Sequence, residues 1–308
     1  CALPIWMFWA GVVPALVLLV GMCFVPETPR WLLSKGRLKE CRKVLQKIEP
    51  ENTVNDLIGQ MEVEIEKDRN SAVGWRYLMQ PWLRTPLMIA VCIMFFQQFV
   101  GINTVIYYSP KIFLMAGFES TLSAIWASVG IGIVNVVFTV ISLYLVDRIG
   151  RRKLYFIGLS GIAFSVLCLS ACFIYANQLG EIGRWLMVIF MFGYVAFFAI
   201  SIGPLGWLVI SEIFPQKVRG LGTSIGSLAV WIFNCIVSFT FFKIIDFFSI
   251  PGTEIVVGQT TSENPAGAFF LYGFIAVLGL VWGYLFLPET KGLSLEEIEQ
   301  KWRKNREC

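Results

Sequence analysis

No histidine occurs among the 308 residues. That absence removes the commonest general base, the commonest metal ligand and the side chain best suited to relay a proton near neutral pH. The eight cysteines, at 1, 23, 41, 92, 168, 172, 235 and 308, form no C-x-x-C pair and show no zinc spacing. Most of them lie inside apolar runs, where a thiol behaves as a small hydrophobe. There is no N-x-S/T acceptor and no glycine-rich loop of the kind that cradles a nucleotide phosphate. Charge is scarce too, at 15% of residues against about 25% in a soluble globular domain. We therefore expect no enzyme, no cofactor and no metal. The net charge of +4 sits in loops and is no argument for nucleic-acid binding.

What the chain has instead is apolar length: 56% hydrophobic and 15% aromatic residues, with mean hydropathy +0.69. The few charges cluster and leave runs of about 20 residues, enough to span a bilayer at about 1.5 Å per residue. The pattern predicts an all-α polytopic membrane protein with seven spans, near 6–25, 87–107, 124–146, 154–176, 185–210, 222–242 and 268–287. None reads as a cleaved signal, and the chain starts at Cys1 almost directly in a span, as expected of a fragment lacking upstream helices.

Loop charge predicts orientation. Of the 25 Lys and Arg, 22 fall in 26–86, 147–153, 211–221 and the tail after 288, and only Lys111, Arg184 and Lys243 lie on the other side. By the positive-inside rule residue 1 starts outside and the C-terminus is cytoplasmic, in a multi-pass protein of the cytoplasmic membrane. Residues 26–86 are too polar to enter the bilayer. Leu38, Cys41, Leu45 and Ile48, then Val54, Leu57, Ile58, Met61 and Ile65, recur at three- and four-residue spacing, so a pad of two or three short amphipathic helices is expected. The domains are then 1–25, a last helix of one half; 26–86, the linker pad; 87–287, a six-helix bundle; and 288–308, a tail. Pro26-Glu27-Thr28 closes the first span and Pro288-Glu289-Thr290 the last, a repeated exit signal that suggests two homologous halves.

Polar residues inside the spans are the candidate site. Gln97, Gln98 and Asn103 stand in a stretch without charge between Arg84 and Lys111, where an unpartnered amide costs roughly 2 to 7 kcal/mol. On a straight helix Asn103 points well away from the glutamines, so a break at Gly101 is expected to turn it back. Gly203-Pro204-Leu205-Gly206 is a second candidate break. Two charged turns, Asp147-Arg148-Ile149-Gly150-Arg151-Arg152 and Ser211-Glu212 to Arg219-Gly220, place carboxylates and guanidinium groups where they can pair.

Five motifs together carry a resemblance: P-E-T-P-R-W-L from Pro26, Q-Q-x-x-G-x-N-x-x-x-Y-Y from Gln97, D-R-x-G-R-R from Asp147, S-E-I-F-P-x-x-x-R-G from Ser211 and P-E-T-K-G from Pro288. In this order the sequence resembles the sugar porter family of the major facilitator superfamily from about Trp6 to Glu299. Within it, Phe198-Ala199-Ile200-Ser201-Ile202-Gly203-Pro204 is similar to bacterial proton-coupled xylose, galactose and arabinose carriers, whereas animal glucose carriers have a glutamate where Ala199 stands. The resemblance implies the major facilitator fold, here helices six to twelve: the C-terminal six-helix half plus the last helix of the N-terminal half. It implies monosaccharide transport by alternating access in symport with a proton, with the coupling acid in a first helix outside this sequence. A facilitative uniporter is the alternative, and a transport-inactive sugar receptor a further one. The partners are a sugar, a proton and the bilayer, and the carrier a monomer.

By the same resemblance Gln97, Gln98, Asn103 and Asn135 bond sugar hydroxyls, Trp207 and Trp231 line the site, and Tyr107 and Tyr108 close it from outside. Asp147, Arg148, Arg151, Arg152, Glu212 and Arg219 form a cytoplasmic salt-bridge latch. Amides donate and accept without charge and rings suit a sugar's apolar face, which is why these types fit. Asn135 and Asn234 could equally be interhelical glue, and either Trp core packing. Val230 departs from the Gln or Asn frequent in relatives before the position of Trp231.

Overall fold

The computed structural model describes residues 3–69, 78, 80–118, 120–249, 255–257, 260–292 and 302, so the tail expected after 288 falls largely outside the described residues. The chain divides into two compact units, Cys1–Ala72 and Val73–Cys308.

In the first unit α1, Leu3–Phe24, precedes α2, Pro29–Ser34, α3, Leu38–Leu45, and α4, Glu51–Arg69. Thr28 caps α2, its hydroxyl accepting from the Trp31 N–H at 3.4 Å, and Pro29 at the first helical position gives up no needed donor. The core of α2–α4 is Leu32, Leu33, Cys41, Leu45, Val54 and Ile58, with Met61 and Ile65 packed against it. The expected stripe is thus correct in its middle and wrong at its ends. Leu38, at the first position of α3, and Ile48, beyond its end at Leu45, are exposed. Burial pushes the Cys41 thiol up, so this cysteine is packing rather than chemistry.

Among the described residues the second unit is helical apart from one antiparallel pair of strands, β1 Ile255–Val257 with β2 Thr260–Ser262, which periodicity did not predict. After a 3-10 turn, Pro81–Leu83, come α5, Arg84–Phe99; α6, Ile102–Met115; α7, Thr121–Ile149; α8, Arg151–Ile174; α9, Ala176–Ile200; α10, Ile202–Ile213; α11, Gln216–Phe247; and α12, Ala266–Phe286. Among the described residues six segments are long and apolar enough to cross a membrane, with a shorter apolar stretch at Gly11–Phe24. Two of the six are broken helices, α5–α6 and α9–α10. The 3-10 turn falls within the 26–86 segment expected as linker, yet its Leu83, like Leu78 before it, is buried in the bundle core.

Both breaks have a local cause. At Gly101 φ is 87°, the left-handed region where a side chain is strained, and the freed Val100 carbonyl accepts from the Tyr194 hydroxyl at 2.8 Å. The second break lies at Ser201, with φ −126° and ψ −100°, two residues before the expected glycine. Pro204 has no N–H and its ring collides with the carbonyl four residues back, so the helix must be released in the turn before it. Once released, Pro204 sits in the first turn of α10, where it is tolerated. Gly158 of α8 lets the break pack closely: an added Cβ there would lie 1.6 Å from Ser201 Oγ. At the head of α12, Asn264 accepts from the Ala266 N–H at 2.9 Å and donates to the Phe173 carbonyl at 2.9 Å, tying α12 to the end of α8.

Candidate functional site

The two breaks meet at one cavity. It has a volume of about 280 Å³ and is lined by Gln97 and Gln98 from the end of α5, Ile102 and Asn103 from α6, Asn135 and Thr139 from α7, Phe198 and Ala199 from α9, and Gly203, Pro204 and Trp207 from α10. Five of the six residues carried over as sugar contacts therefore line a single pocket. Trp231 does not. It stands 66% exposed on α11, whose buried side carries Val230, Asn234, Val237 and Phe241 at helical spacing. At 100° per residue, Trp231 is turned off that side.

The amides form a chain. Asn103 Nδ2 donates to Gln98 Oε1 at 2.6 Å, Gln98 Nε2 donates to Gln97 Oε1 at 3.4 Å, and Gln97 Nε2 donates to the carbonyls of Ile202 at 3.1 Å and Gly203 at 2.7 Å. The break at Gly101 makes the first link possible by turning Asn103 back to Gln98, as the spacing predicted. Gln97 and Gln98 are 3% and 5% exposed, so these bonds form where an unpaired amide would be costly. One N–H of Gln98 remains for a guest, as do an N–H and the oxygen of Asn103. Asn135 keeps its whole amide, since its only described bond is the Thr139 hydroxyl donating to its backbone carbonyl at 2.7 Å. The pocket lining carries no charged side chain and combines the amides with the Trp207 and Phe198 rings. Such a lining suits an uncharged polyhydroxyl ring.

Beyond Asn103 along α6, the two tyrosines part. Tyr107 is 55% exposed, whereas Tyr108 stacks on Phe241 with centroids 5.4 Å apart and meets Phe242 edge-on at 4.7 Å. Lys111 Nζ lies 4.0 Å above the Phe242 ring, a second tie from α6 to α11. Asn234, read as possible interhelical glue, accepts from Ser238 of its own helix at 3.0 Å.

The charged turns meet at the opposite end of the bundle. Arg151 grips Glu212 with two bonds, Nη2 to Oε1 at 2.8 Å and Nε to Oε2 at 3.3 Å, and Nη2 is 3.3 Å from Asp147. Glu289 caps α8, accepting from the N–H groups of Arg151 at 3.0 Å and Arg152 at 3.1 Å, at the positive end of the helix dipole. Thr290 donates to Glu212 Oε2 at 2.6 Å. Glu289 and Thr290 were missed as site residues. Their signal was present in the repeated exit motif, but a Pro-Glu-Thr after a helix reads as a stop rather than as a cap for a helix 138 residues away in sequence. Arg148 takes part through its carbonyl, which accepts from Lys291 Nζ at 2.7 Å, and Arg152 donates to the Tyr284 carbonyl at 2.8 Å. Arg219 is not drawn in: its Nε and Nη2 are buried with no hydrogen-bond partner among the described residues.

This architecture recurs in known proteins. The D-xylose-proton symporter of Escherichia coli strain K12 is 34% identical over 297 residues, covering 96% of this chain and 57% of its own length. The glucose transporter GlcP of Staphylococcus epidermidis is 36% identical over 298 residues, covering 97% of this chain and 62% of its own. The solved structure of the major facilitator superfamily proton:xylose symporter XylE bound to 6-bromo-6-deoxy-D-glucose is similar with a TM-score of 0.75 and 33% identity, over 96% of this chain and 58% of that one. The chain thus spans less than two thirds of the length of the relatives it matches. The family model described as "Sugar (and other) transporter" matches residues 5–302, and the chain belongs to that family, within the major facilitator superfamily.

Proposed function

We propose that this protein carries a monosaccharide, a pentose or a hexose, across the cytoplasmic membrane by alternating access in symport with a proton. The observation that carries this reading is the uncharged pocket at the junction of two broken helices, lined by the amides of Gln98, Asn103 and Asn135 together with Trp207. Sites built this way let rigid bodies rock around a fixed guest. The xylose-proton relative and Ala199 in the pocket wall favour proton coupling over a uniporter.

In this reading residues 87–287 are the C-terminal six-helix bundle and 1–25 the last helix of the other half, with 26–86 between them. The Arg151–Glu212 cluster latches the cytoplasmic end, the side of 22 of the 25 Lys and Arg, and Tyr107 and Tyr108 gate the outer end. In this reading the carrier acts as a monomer. Trp231 has no part in this assignment.

The test is uptake into proteoliposomes with D-xylose and D-glucose. Symport requires sugar addition to alkalinise the external medium. Equilibration without proton movement would make the protein a uniporter, and binding without flux a receptor. Within the pocket, Gln98→Leu should weaken sugar binding tenfold or more, about 1.4 kcal/mol, because it removes both a sugar contact and the partner of Asn103. Membrane insertion should be intact. Equilibrium binding at parent affinity would reduce the amides to helix glue.

A further inference from the structure

We propose that Lys111 is a positioning residue of the carrier: its ammonium clasps the far half of α6 to α11 through the Phe242 ring and so sets how readily α6 closes over an occupied pocket. The inference rests on the sugar-carrier reading of that pocket and on the gate assigned to the same helix. Beyond the pocket, Tyr108 and Lys111 lie three residues apart on α6 and so share one face of it. That face meets α11. Tyr108 stacks on Phe241 with ring planes 7° apart, meets Phe242 edge-on and donates to the Ser238 carbonyl at 3.5 Å. Lys111 Nζ stands 4.0 Å over the Phe242 ring, well inside the limit of about 6 Å for a cation held on a ring face.

Nothing else holds the charge there. Lys111 is exposed, and among the described residues no carboxylate pairs with it, so the ring is the partner its ammonium has taken. The start of α6 lines the pocket with Ile102 and Asn103, but neither tyrosine is part of that lining. Both stand clear of a guest in this conformer. For them to close over it, the far half of α6 must move off α11, which breaks the Tyr108 stack and lifts Lys111 from its ring. The clasp therefore stabilises the conformer whose pocket is uncovered. A guest held best by the covered pocket works against it, and weakening the clasp tightens apparent binding. At an exposed site a cation over a ring is worth a factor of about two to five in population.

The test is equilibrium binding of D-xylose or D-glucose, whichever binds the parent, to the full-length reconstituted protein. Lys111→Met removes the charge from a side chain of similar reach, and the dissociation constant should fall about two- to fivefold. Lost contacts or a damaged fold weaken binding, so the sign of the change separates positioning from both. Lys111→Arg keeps a cation for the ring and should bind as the parent does. Lys243→Met removes the same charge from the neighbouring position on α11, where no ring contact is described, and should also leave affinity unchanged. Phe242→Leu should tighten binding at least as far as Lys111→Met. The double variant should match Phe242→Leu to within about 1.5-fold, because the ring through which the charge acts is already gone. Parent or weaker affinity in Lys111→Met, equal tightening in Lys243→Met, or effects that multiply in the double variant would each overturn the proposal. Lys111→Gln takes the place of the methionine variant should that one fail to insert. A parent that binds neither sugar overturns the carrier reading and the inference with it, whereas a binding parent with an unresponsive Lys111→Met overturns the inference alone.

Discussion

Gly101→Ala is expected to unfold or strongly destabilise the bundle. An added Cβ would lie 2.3, 2.4 and 2.7 Å from Cε2, Cδ2 and Cζ of Tyr272, a ring only 2% exposed. The ring cannot swing aside, because it belongs to the buried core and its hydroxyl lies 3.4 Å from Thr104 Oγ1, which itself donates to the Gly101 carbonyl at 2.7 Å. The backbone cannot yield either, because φ of 87° is what turns Asn103 towards Gln98. Left-handed strain and overpacking each contribute roughly 1 to 3 kcal/mol, so a combined loss of about 3 kcal/mol or more is expected. Thermal unfolding in detergent micelles should show a fall of about 5 °C or more. Gly132→Ala is the control, since a Cβ there meets nothing within 4 Å on a helix, and it should be neutral or slightly stabilising. Equal Tm values for the two variants would mean that the break tolerates a side chain and that its glycine is incidental.

The helices and the first break were legible because the signals are local. Apolar runs mark spans whatever they pack against, and a glycine between amides on opposite helix faces asks for a turn. The second break was placed two residues late because proline acts on the turn before itself, and Ser201, a residue with no breaker chemistry of its own, absorbs the distortion. Burial within the linker unit was legible for Cys41, Leu45, Val54 and Ile58, with Met61 and Ile65 against them, but not for Leu32 and Leu33, which belong to a helix too short to show a period, nor in the exposure of Leu38 and Ile48 at the limits of α3. The site divides the same way. Residue types pointed to Gln98, Asn103, Asn135 and Trp207, and the structure brings them together. Which bonds Gln97 already makes, which way Trp231 faces and which carboxylate caps α8 depend on contacts 60 to 140 residues apart, where spacing carries no information.

In the proposed reading the charged cluster latches one end of the bundle, and Glu212→Gln is the substitution expected to release it. Arg151 has 12% of its side chain exposed and Glu212 21%, so this pair is largely withdrawn from water, while Asp147, at 76%, is solvated. Losing the Glu212 charge leaves the guanidinium with a screened partner. It also sets an amide that is half donor against Nη2, Nε and the Thr290 hydroxyl, all of which donate. Breaking a fully buried pair costs about 3 to 5 kcal/mol. For this half-sheltered one a loss of roughly 2 kcal/mol is reasonable, against less than about 1 kcal/mol for Asp147→Asn. Because the pair fastens the start of α8 to the end of α10 and, through Thr290, to the exit of α12, that energy is subtracted from the conformer in which this end is closed. About 1.4 kcal/mol is tenfold in a population. A cysteine placed in the pocket as Thr139→Cys, with exposed Cys23 and Cys235 changed to serine, reads the shift. A membrane-impermeant thiol reagent added from the latch side should label it tenfold or more faster in Glu212→Gln and less than about fivefold faster in Asp147→Asn. Unchanged labelling in Glu212→Gln, with the protein inserted and folded, would mean that the cluster anchors helix ends without governing which way the pocket opens.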